Sequence, residues 1–521
     1  MITSILLSAA LLIPVDAMAP WRDSWAEKAR EYTPELISET VCPARTVEVF
    51  RSAEAFQGYG IREASYPRQL DEGCAVVYDF GRHVTGYLTL EFKVLRRTQD
   101  APARLKINFA EVPSEFYVDK WPASIGRGWM QEEIITVEDV SKHLELPRRL
   151  SGQYLRVELL SGSAGFDMGI SGVSFRAVSS AGENMCPVSG EIGSRAISTL
   201  RECMQTVLED GPKRDRRLWG IDSYFGTLSN NYSFRNQKVV LRSLYLLASL
   251  SSEDGLLYAD VFETPSPHPQ DGNYSLDCSL FYPPMLLEYA RSFADTDTVR
   301  DLWPIVERQM DAIRDHIGDD YVFNPAARYS WLIFDWNEGL DRRVQTQGIM
   351  IWSLKAGAAL AAMTGHPERE KEWTSLAAKM SRAAVKLFYN RATGLFESSG
   401  QISWNSQIWM VVSGAVTGKK AEKCLEAVSA CPSALLPGTP AANHFLVEAY
   451  LAAGMEKEAR ERLLSYWGGM VSKVTDTLPE VFDPEDDFTS PYGYHPVNSY
   501  CHLWSTTPLY FMGKYPSIGL L

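Results

Sequence analysis

The chain has 521 residues, 45% apolar and 22% charged, a length and balance that call for a globular protein of two domains rather than one core. Its net charge of −14 argues against nucleic acid or an anionic membrane as partner. Its eight cysteines form no Cys-x-x-Cys pair or Cys/His ligand spacing, and neither a P-loop nor Gly-x-Gly-x-x-Gly is present, so no metal, redox pair, nucleotide or other cofactor is expected.

Residues 1–17 carry a short apolar run, Ile5 to Ile13, and a small-residue exit at Val15-Asp16-Ala17. This reads as a secretory signal peptide without the usual leading Lys or Arg. Cleavage after Ala19 would place Pro20 beside the scissile bond, and the alternative is a cytoplasmic protein starting at Met18. No other apolar run approaches the roughly 20 residues needed to span a bilayer. From about Val47 to Val178 short alternating runs such as Cys74-Ala-Val-Val-Tyr-Asp-Phe and Tyr154-Leu-Arg-Val-Glu-Leu-Leu are separated by Gly, Pro and Asp. Residues 18–185 are therefore expected to form a β-sandwich of jelly-roll type.

Next comes Asp210-Gly-Pro-Lys-Arg-Asp-Arg-Arg-Leu-Trp-Gly-Ile-Asp222, with three carboxylates and four cations in thirteen residues. Gly211, Pro212 and Gly220 make it a structured loop leading into a helix rather than a charged helix face. Paired carboxylates beside a fixed cation and an aromatic platform suit glycoside cleavage, where one carboxyl stays protonated and another ionised. A surface salt-bridge cluster would carry the same residues.

After Glu191 the apolar spacing turns helical, over Arg235–Leu250, Pro284–Phe293, Val299–Ile317, Gly348–Met363, Glu368–Leu387, Ala421–Cys431, Ala441–Ala453 and Lys457–Trp467. Paired helices with no strands between them and no fixed repeat predict an (α/α)6 toroid over residues 186–521. In such a ring, loops at one end converge on one cavity. Asp335-Trp336, inside Trp331-Leu-Ile-Phe-Asp-Trp-Asn-Glu338, could hydrogen-bond and stack on a sugar, and a capped helix start with a core tryptophan reads the same. Ser403-Trp404-Asn-Ser-Gln407 opens a helix, as a cavity wall or a substrate contact. Between Tyr466 and Tyr510 come Glu480, by its neighbours alone an ordinary loop carboxylate, and His502. The acidic run Asp483 to Asp487 lacks the spacing and glycine of an EF-hand and reads as loop caps and partners for arginines.

These motifs resemble the α-L-rhamnosidases of glycoside hydrolase family 78. Asp210, Pro212, Arg214, Asp215, Trp219 and Asp222 fall on that family's acidic signature, from which Ile221 departs because glycine normally precedes the last aspartate. Tyr78-Asp-Phe-Gly-Arg-His-Val-Thr-Gly-Tyr resembles a strand-turn-strand of its β-sandwich, and Ser403–Gln407 is similar to a helix start in its catalytic domain. Asp335-Trp336 falls where the family has an Asp-Trp pair, Glu480 on its general base and His502 on a sugar-contacting histidine; Pro479 replaces a usual tryptophan. The resemblance implies an N-terminal β-sandwich before an (α/α)6 toroid, and inverting release of terminal α-L-rhamnose from glycosides or oligosaccharides. It implies Asp215 as general acid and Glu480 as general base. Asp210, Asp222 and Asp335 would bind ring hydroxyls, Arg214 would orient, and Trp219, Trp336 and His502 would form walls and contacts. The acid would need its pKa raised by burial or by Asp210 or Asp222, against the pull of Arg214. Two alternatives stay open: a related toroid acting on another sugar, including a uronide lyase using Tyr224, Tyr492 or His495, and a non-catalytic carbohydrate binder. The oligomeric state, a homodimer among the options, is also open.

Overall fold

The computed structural model describes residues 16–118, 120–163, 165–326, 331–337, 339–473 and 476–519. The expected signal peptide lies almost wholly outside them. Nine strands build one antiparallel sheet: β1 Ile37–Val41, β2 Arg45–Arg51, β3 Tyr59–Glu63, β4 Ala75–Arg96, β5 Ala103–Ala110, β6 Glu132–Val137, β7 Leu144–Glu145, β8 Leu150–Ser161 and β9 Asp167–Ser179. Their main order is β1-β9-β4-β8-β5-β6, with β2, β3 and β7 attached beside it. The 22-residue β4 pairs with β8 over its first half and with β9 over its second. Phe109 of β5 stacks on Phe175 of β9 with centroids 5.1 Å apart, although β4 and β8 lie between them in the sheet order. Neighbouring strands stand about 4.8 Å apart, so the sheet has to fold over itself for these rings to meet. The result is the expected sandwich.

The helices are α1 Ala19–Glu31, α2 Gly190–Cys203, α3 Gly220–Asn231, α4 Gln237–Ser249, α5 Leu276–Ser279, α6 Tyr282–Phe293, α7 Thr296–Asp301 and α8 Trp303–Asp315. They continue as α9 Arg343–Thr364, α10 Pro367–Phe388, α11 Trp404–Val412, α12 Lys419–Ser429, α13 Pro440–Ala452, α14 Glu456–Lys473 and α15 Pro508–Lys514. Contacts run α3 to α6, α9, α11, α13 and the turn Leu503–Thr506, which touches α3 again and closes a ring of six inner elements. Outside it, α4, α8, α10, α12, α14 and α2 each back an inner neighbour. Composition explains the two layers. All twelve residues of α3 are buried, as befits a helix enclosed on every side, whereas α12 buries only Ala421, Cys424, Leu425 and Val428, one stripe. The single helix expected over Val299–Ile317 is two, because Pro304 has no N–H to continue α7 and instead starts α8.

One element departs from the expected domain boundary. The helix α1, within the span assigned to the β-sandwich, packs on α4 and places Trp25 and Ala29, both fully buried, in the helical core. Between the two domains, Gln205 Nε2 donates to the Val178 carbonyl at 3.0 Å, and Arg149 pairs with Glu209 at 2.7 Å.

Candidate active site

The centre of the ring is blocked by aromatic rings from α3, α9, α11, α13 and the start of α6. Trp409 and Phe445 have centroids 4.4 Å apart, Tyr224 and Trp352 5.3 Å, and Phe281 and Trp352 5.2 Å. Above this plug a cavity of about 570 Å³ opens at one end, in the range that holds a sugar-sized ligand. It is lined by Asp210, Arg214, Asp215, Trp219, Asp222, Trp336, Glu480 and His502, with Ile221, Trp331, Tyr492 and Trp504 among the rest. Eight of the nine side chains expected at the site are thus brought together, although Glu480 is 258 positions or more from the first loop in sequence.

The loop is folded around Asp210. Its carboxylate accepts the N–H groups of Asp215 at 2.9 Å and Arg217 at 3.0 Å, which turns the chain back on itself. Gly211 is required there, since a Cβ would sit 2.4 Å from the Arg214 carbonyl oxygen and 2.6 Å from Ser499 Oγ. Leu218–Trp219 (β10) then pairs with Asp260–Phe262 (β11), and α3 starts at Gly220. The departure at Ile221 leaves that helix start intact and adds an apolar side chain to the cavity wall.

One guanidinium joins the two carboxylates expected to do the chemistry. Arg214 Nη1 contacts Asp215 Oδ1 at 3.0 Å, and Nη2 contacts Glu480 Oε1 at 2.8 Å and Oε2 at 2.9 Å. Glu480 also accepts from the Tyr492 hydroxyl at 2.7 Å and the Ser499 N–H at 2.9 Å. Burial alone would raise the Glu480 carboxyl, but Arg214, His502 and these two donors together hold it below the usual range. Asp215 lies nearer solvent, with Arg217 Nη1 3.7 Å from its other oxygen.

The inner carboxyls are pushed the other way. Burial, reinforced by Asp210 and Glu480, raises Asp222 well above its ordinary value, and burial with Asp215 does the same to Asp210. Asp222 Oδ1 makes no hydrogen bond and faces His502 Nδ1 across 3.6 Å, itself without a partner. Burial pulls His502 down to about 4, so it is neutral near pH 7. A donor and an acceptor left open side by side in a buried wall are what a ligand hydroxyl would complete.

Asp335 is not part of the lining. It is 1% exposed, and its oxygens accept from the Trp336 N–H at 3.1 Å, the Gly438 N–H at 3.0 Å and Asn405 Nδ2, so it shapes the loop that presents Trp336. Its neighbour Trp336 packs against Trp504 with centroids 4.7 Å apart. The Trp504 indole donates to the Glu480 carbonyl at 3.0 Å and gives the cavity an aromatic wall despite Pro479. Gln407 spends its amide on Phe396 and Ser403 backbone groups, a framework role. Of the residues considered for a lyase, Tyr224 is buried in the aromatic plug and His495 packs on Phe488; only Tyr492 reaches the cavity. In the acidic run Asp483 and Asp486 cap their own turns, while Asp487 pairs with Lys473 at 2.7 Å rather than with an arginine. Among the described residues no group of His, Cys, Asp and Glu is placed to hold a metal, and no helix is long and apolar enough to cross a membrane.

The β-domain also contributes to the site, through residues that no motif in the sequence singles out. Lys213, next to Arg214, is buried against Glu111 at 2.9 Å and Glu115 at 2.8 Å and donates to the Asn498 carbonyl at 2.7 Å. Glu111 also accepts from the Tyr500 N–H at 2.7 Å and faces His83 at 3.2 Å. Burial raises Glu115 to about 7 against the pull of Lys213, while Lys213 and His83 outweigh burial and lower Glu111. Two carboxylates of the sandwich thus tie the Arg214 loop to the segment carrying Ser499 and His502. The acidic residue pattern after β5 was the available signal, and it has no meaning until the domains dock.

Residues 43–177 match the glycosyl hydrolase family 78 alpha-rhamnosidase N-terminal domain, and residues 189–515 match the bacterial alpha-L-rhamnosidase six-hairpin glycosidase domain. The chain is similar to a rhamnosidase from Klebsiella oxytoca with rhamnose bound, at 32% identity and a TM-score of 0.91, over 95% of this chain and 99% of that one. The fold is also similar to that of a family 78 rhamnosidase of Bacillus sp. GL1, at 19% identity and a TM-score of 0.73, over 89% of this chain and 50% of that one. A Streptomyces avermitilis α-L-rhamnosidase complexed with L-rhamnose gives 16% identity and a TM-score of 0.65, over 92% and 44%. A search of curated protein sequences found no match.

Proposed function

This chain belongs to the glycoside hydrolase family 78 α-L-rhamnosidases, and we propose that it releases terminal rhamnose with inversion, with Glu480 as the base and Asp215 as the acid. Rhamnose release from a glycoside is its reaction, and the blind cavity above the aromatic plug suits a sugar at a chain end. In the proposed step Glu480 takes a proton from water as the water oxygen bonds to the anomeric carbon. The glycosidic bond breaks on the opposite face, and its oxygen receives a proton from the acid. The observation that carries this reading is the bridge at Arg214. It favours the ionised form of Glu480, as a base requires, and binds Asp215 and Glu480 through different nitrogens of one guanidinium. Inverting pairs stand about 6.5–9.5 Å apart so that a water fits beside the base. Tyr492, sharing both Arg214 and Glu480, fixes the base further.

A second assignment of the acid has its own support. Asp222 is the cavity carboxyl with an open oxygen, and burial beside Asp210 and Glu480 favours its protonated form. Hydrolysis of aryl α-L-rhamnosides followed by proton NMR tests inversion: the β-anomer of rhamnose appears first, whereas an initial α-anomer rejects the water-activating role of Glu480. A series of leaving groups separates the acids. Loss of the acid slows poor leaving groups far more than activated ones, so this pattern in Asp215→Asn supports the first assignment, and in Asp222→Asn the second.

A further inference from the structure

A second cavity, of about 650 Å³, opens behind Trp336, Asn337 and Pro491, which line both. Asp335 accepts the N–H groups of both Trp336 and Gly438 and so ties together the two loops that meet between the cavities. The remaining wall comes from the Leu436–Gly438 loop, α14 and residues 481–490.

Two side chains in that wall, the buried Tyr466 and the half-buried Arg462, keep polar capacity that the protein does not use. Tyr466 is 6% exposed, and its hydroxyl makes no close hydrogen bond, with the Asn443 side chain beside it. Arg462 gives Nε and Nη2 to a single neutral acceptor, Asn443 Oδ1, and lies over the Tyr466 ring at 5.0 Å. It pairs with no carboxylate among the described residues, and burial draws its pKa below the ordinary value with only tyrosines opposing. Arg462 is half-buried, so its guanidinium is partly solvated and still has no counter-ion among the described residues, and a ligand carboxylate would supply one. Asp483 and Glu485 also line the cavity, but both are exposed at its mouth, where solvent screens them. Trp336 and Phe482 are the aromatic residues of its lining besides Tyr466.

We propose that this cavity is an accessory subsite for an acidic sugar, a hexuronate unit of the glycan that carries the rhamnose, with its carboxylate on Arg462 and a hydroxyl on Tyr466. The proposal rests on the rhamnosidase reading and adds a preference among rhamnosides. It is tested with three substrates: an aryl α-L-rhamnoside, a rhamnosyl-uronate disaccharide and its neutral rhamnosyl-hexose counterpart. The uronate is expected to exceed the neutral disaccharide in kcat/KM by about tenfold, the size of a charge-assisted hydrogen bond. Arg462→Gln abolishes that ratio. Tyr466→Phe, which keeps the ring and disturbs folding least, lowers kcat/KM for the uronate about threefold relative to the aryl rhamnoside. Equal rates on the two disaccharides, or variants that slow all three substrates by one factor, overturn the subsite. Failure to cleave even the aryl rhamnoside strikes the rhamnosidase reading instead. In that case calorimetric titration with the two disaccharides still decides the subsite, since only a uronate preference lost in Arg462→Gln sustains it.

Discussion

At the scale of single residues, the cavity separates its carboxyls by environment. Glu480 has a cation and two neutral donors on its oxygens, whereas Asp222 has one oxygen facing a neutral histidine. Glu480→Gln removes the proton acceptor and is expected to lower kcat by about a hundred- to ten-thousand-fold while the variant still binds rhamnose, checked by turnover and titration. The two groups also bear oppositely on stability. The depressed Glu480 contributes stability that is present above its unfolded pKa and lost as pH falls through its folded value. The raised Asp222 contributes below its unfolded pKa, about 3.9, and that contribution is lost as pH rises through its folded value. Asp222→Asn, which need not ionise, is therefore expected to melt higher than the parent at pH 7 and no higher near pH 3, while losing activity. Thermal melts at the two pH values check it. Asp335 carries the opposite lesson, because an aspartate at a familiar place before a tryptophan can be a loop strut, and only its hydrogen bonds tell which.

At the scale of elements, the loop 210–217 is held more from outside than from within. Its cation Lys213 ends on Glu111 and Glu115, which lie after β5 in the other domain. Lys213→Met leaves two buried carboxylates facing each other and is expected to destabilise the chain by about 3–5 kcal/mol. The loss should shrink toward acid pH, where those carboxyls take up protons; Glu115 already does so at about 7 in the parent. Unfolding midpoints at pH 5 and pH 8 check it, and kcat should fall with them because Arg214 follows in the chain. The helix α1 shows a local pattern overridden by packing: it buries only Trp25 and Ala29, too little to announce itself beside the strong β alternation that follows.

At the scale of the whole molecule, the helical domain lines the cavity and the sandwich braces its loop through Glu111 and Glu115. The helical part, residues 186–521 expressed by itself, would lack Glu111, Glu115 and the Trp25 contact, and is expected to show no turnover of an aryl rhamnoside. Co-expression with residues 16–185 should restore it; an active helical part by itself would refute the dependence. Much of this architecture was legible beforehand, because helical spacing from Gln237 to Trp467 and alternation from Ala75 to Ser179 each report which face of an element meets a core. The acidic motif and the distant Glu480 and His502 were legible through family resemblance rather than spacing. By itself the sequence determined the two domains, their order and the set of chemical groups, since period and residue type are properties of local chain. Only the tertiary structure decided that Arg214 joins Asp215 to Glu480, that Trp504 stands in the wall despite Pro479, that Asp335 faces away, and that the sandwich grips the catalytic loop. Those facts depend on close approach between residues far apart in the chain, and on which polar atoms are already satisfied when they meet, neither of which any local pattern encodes.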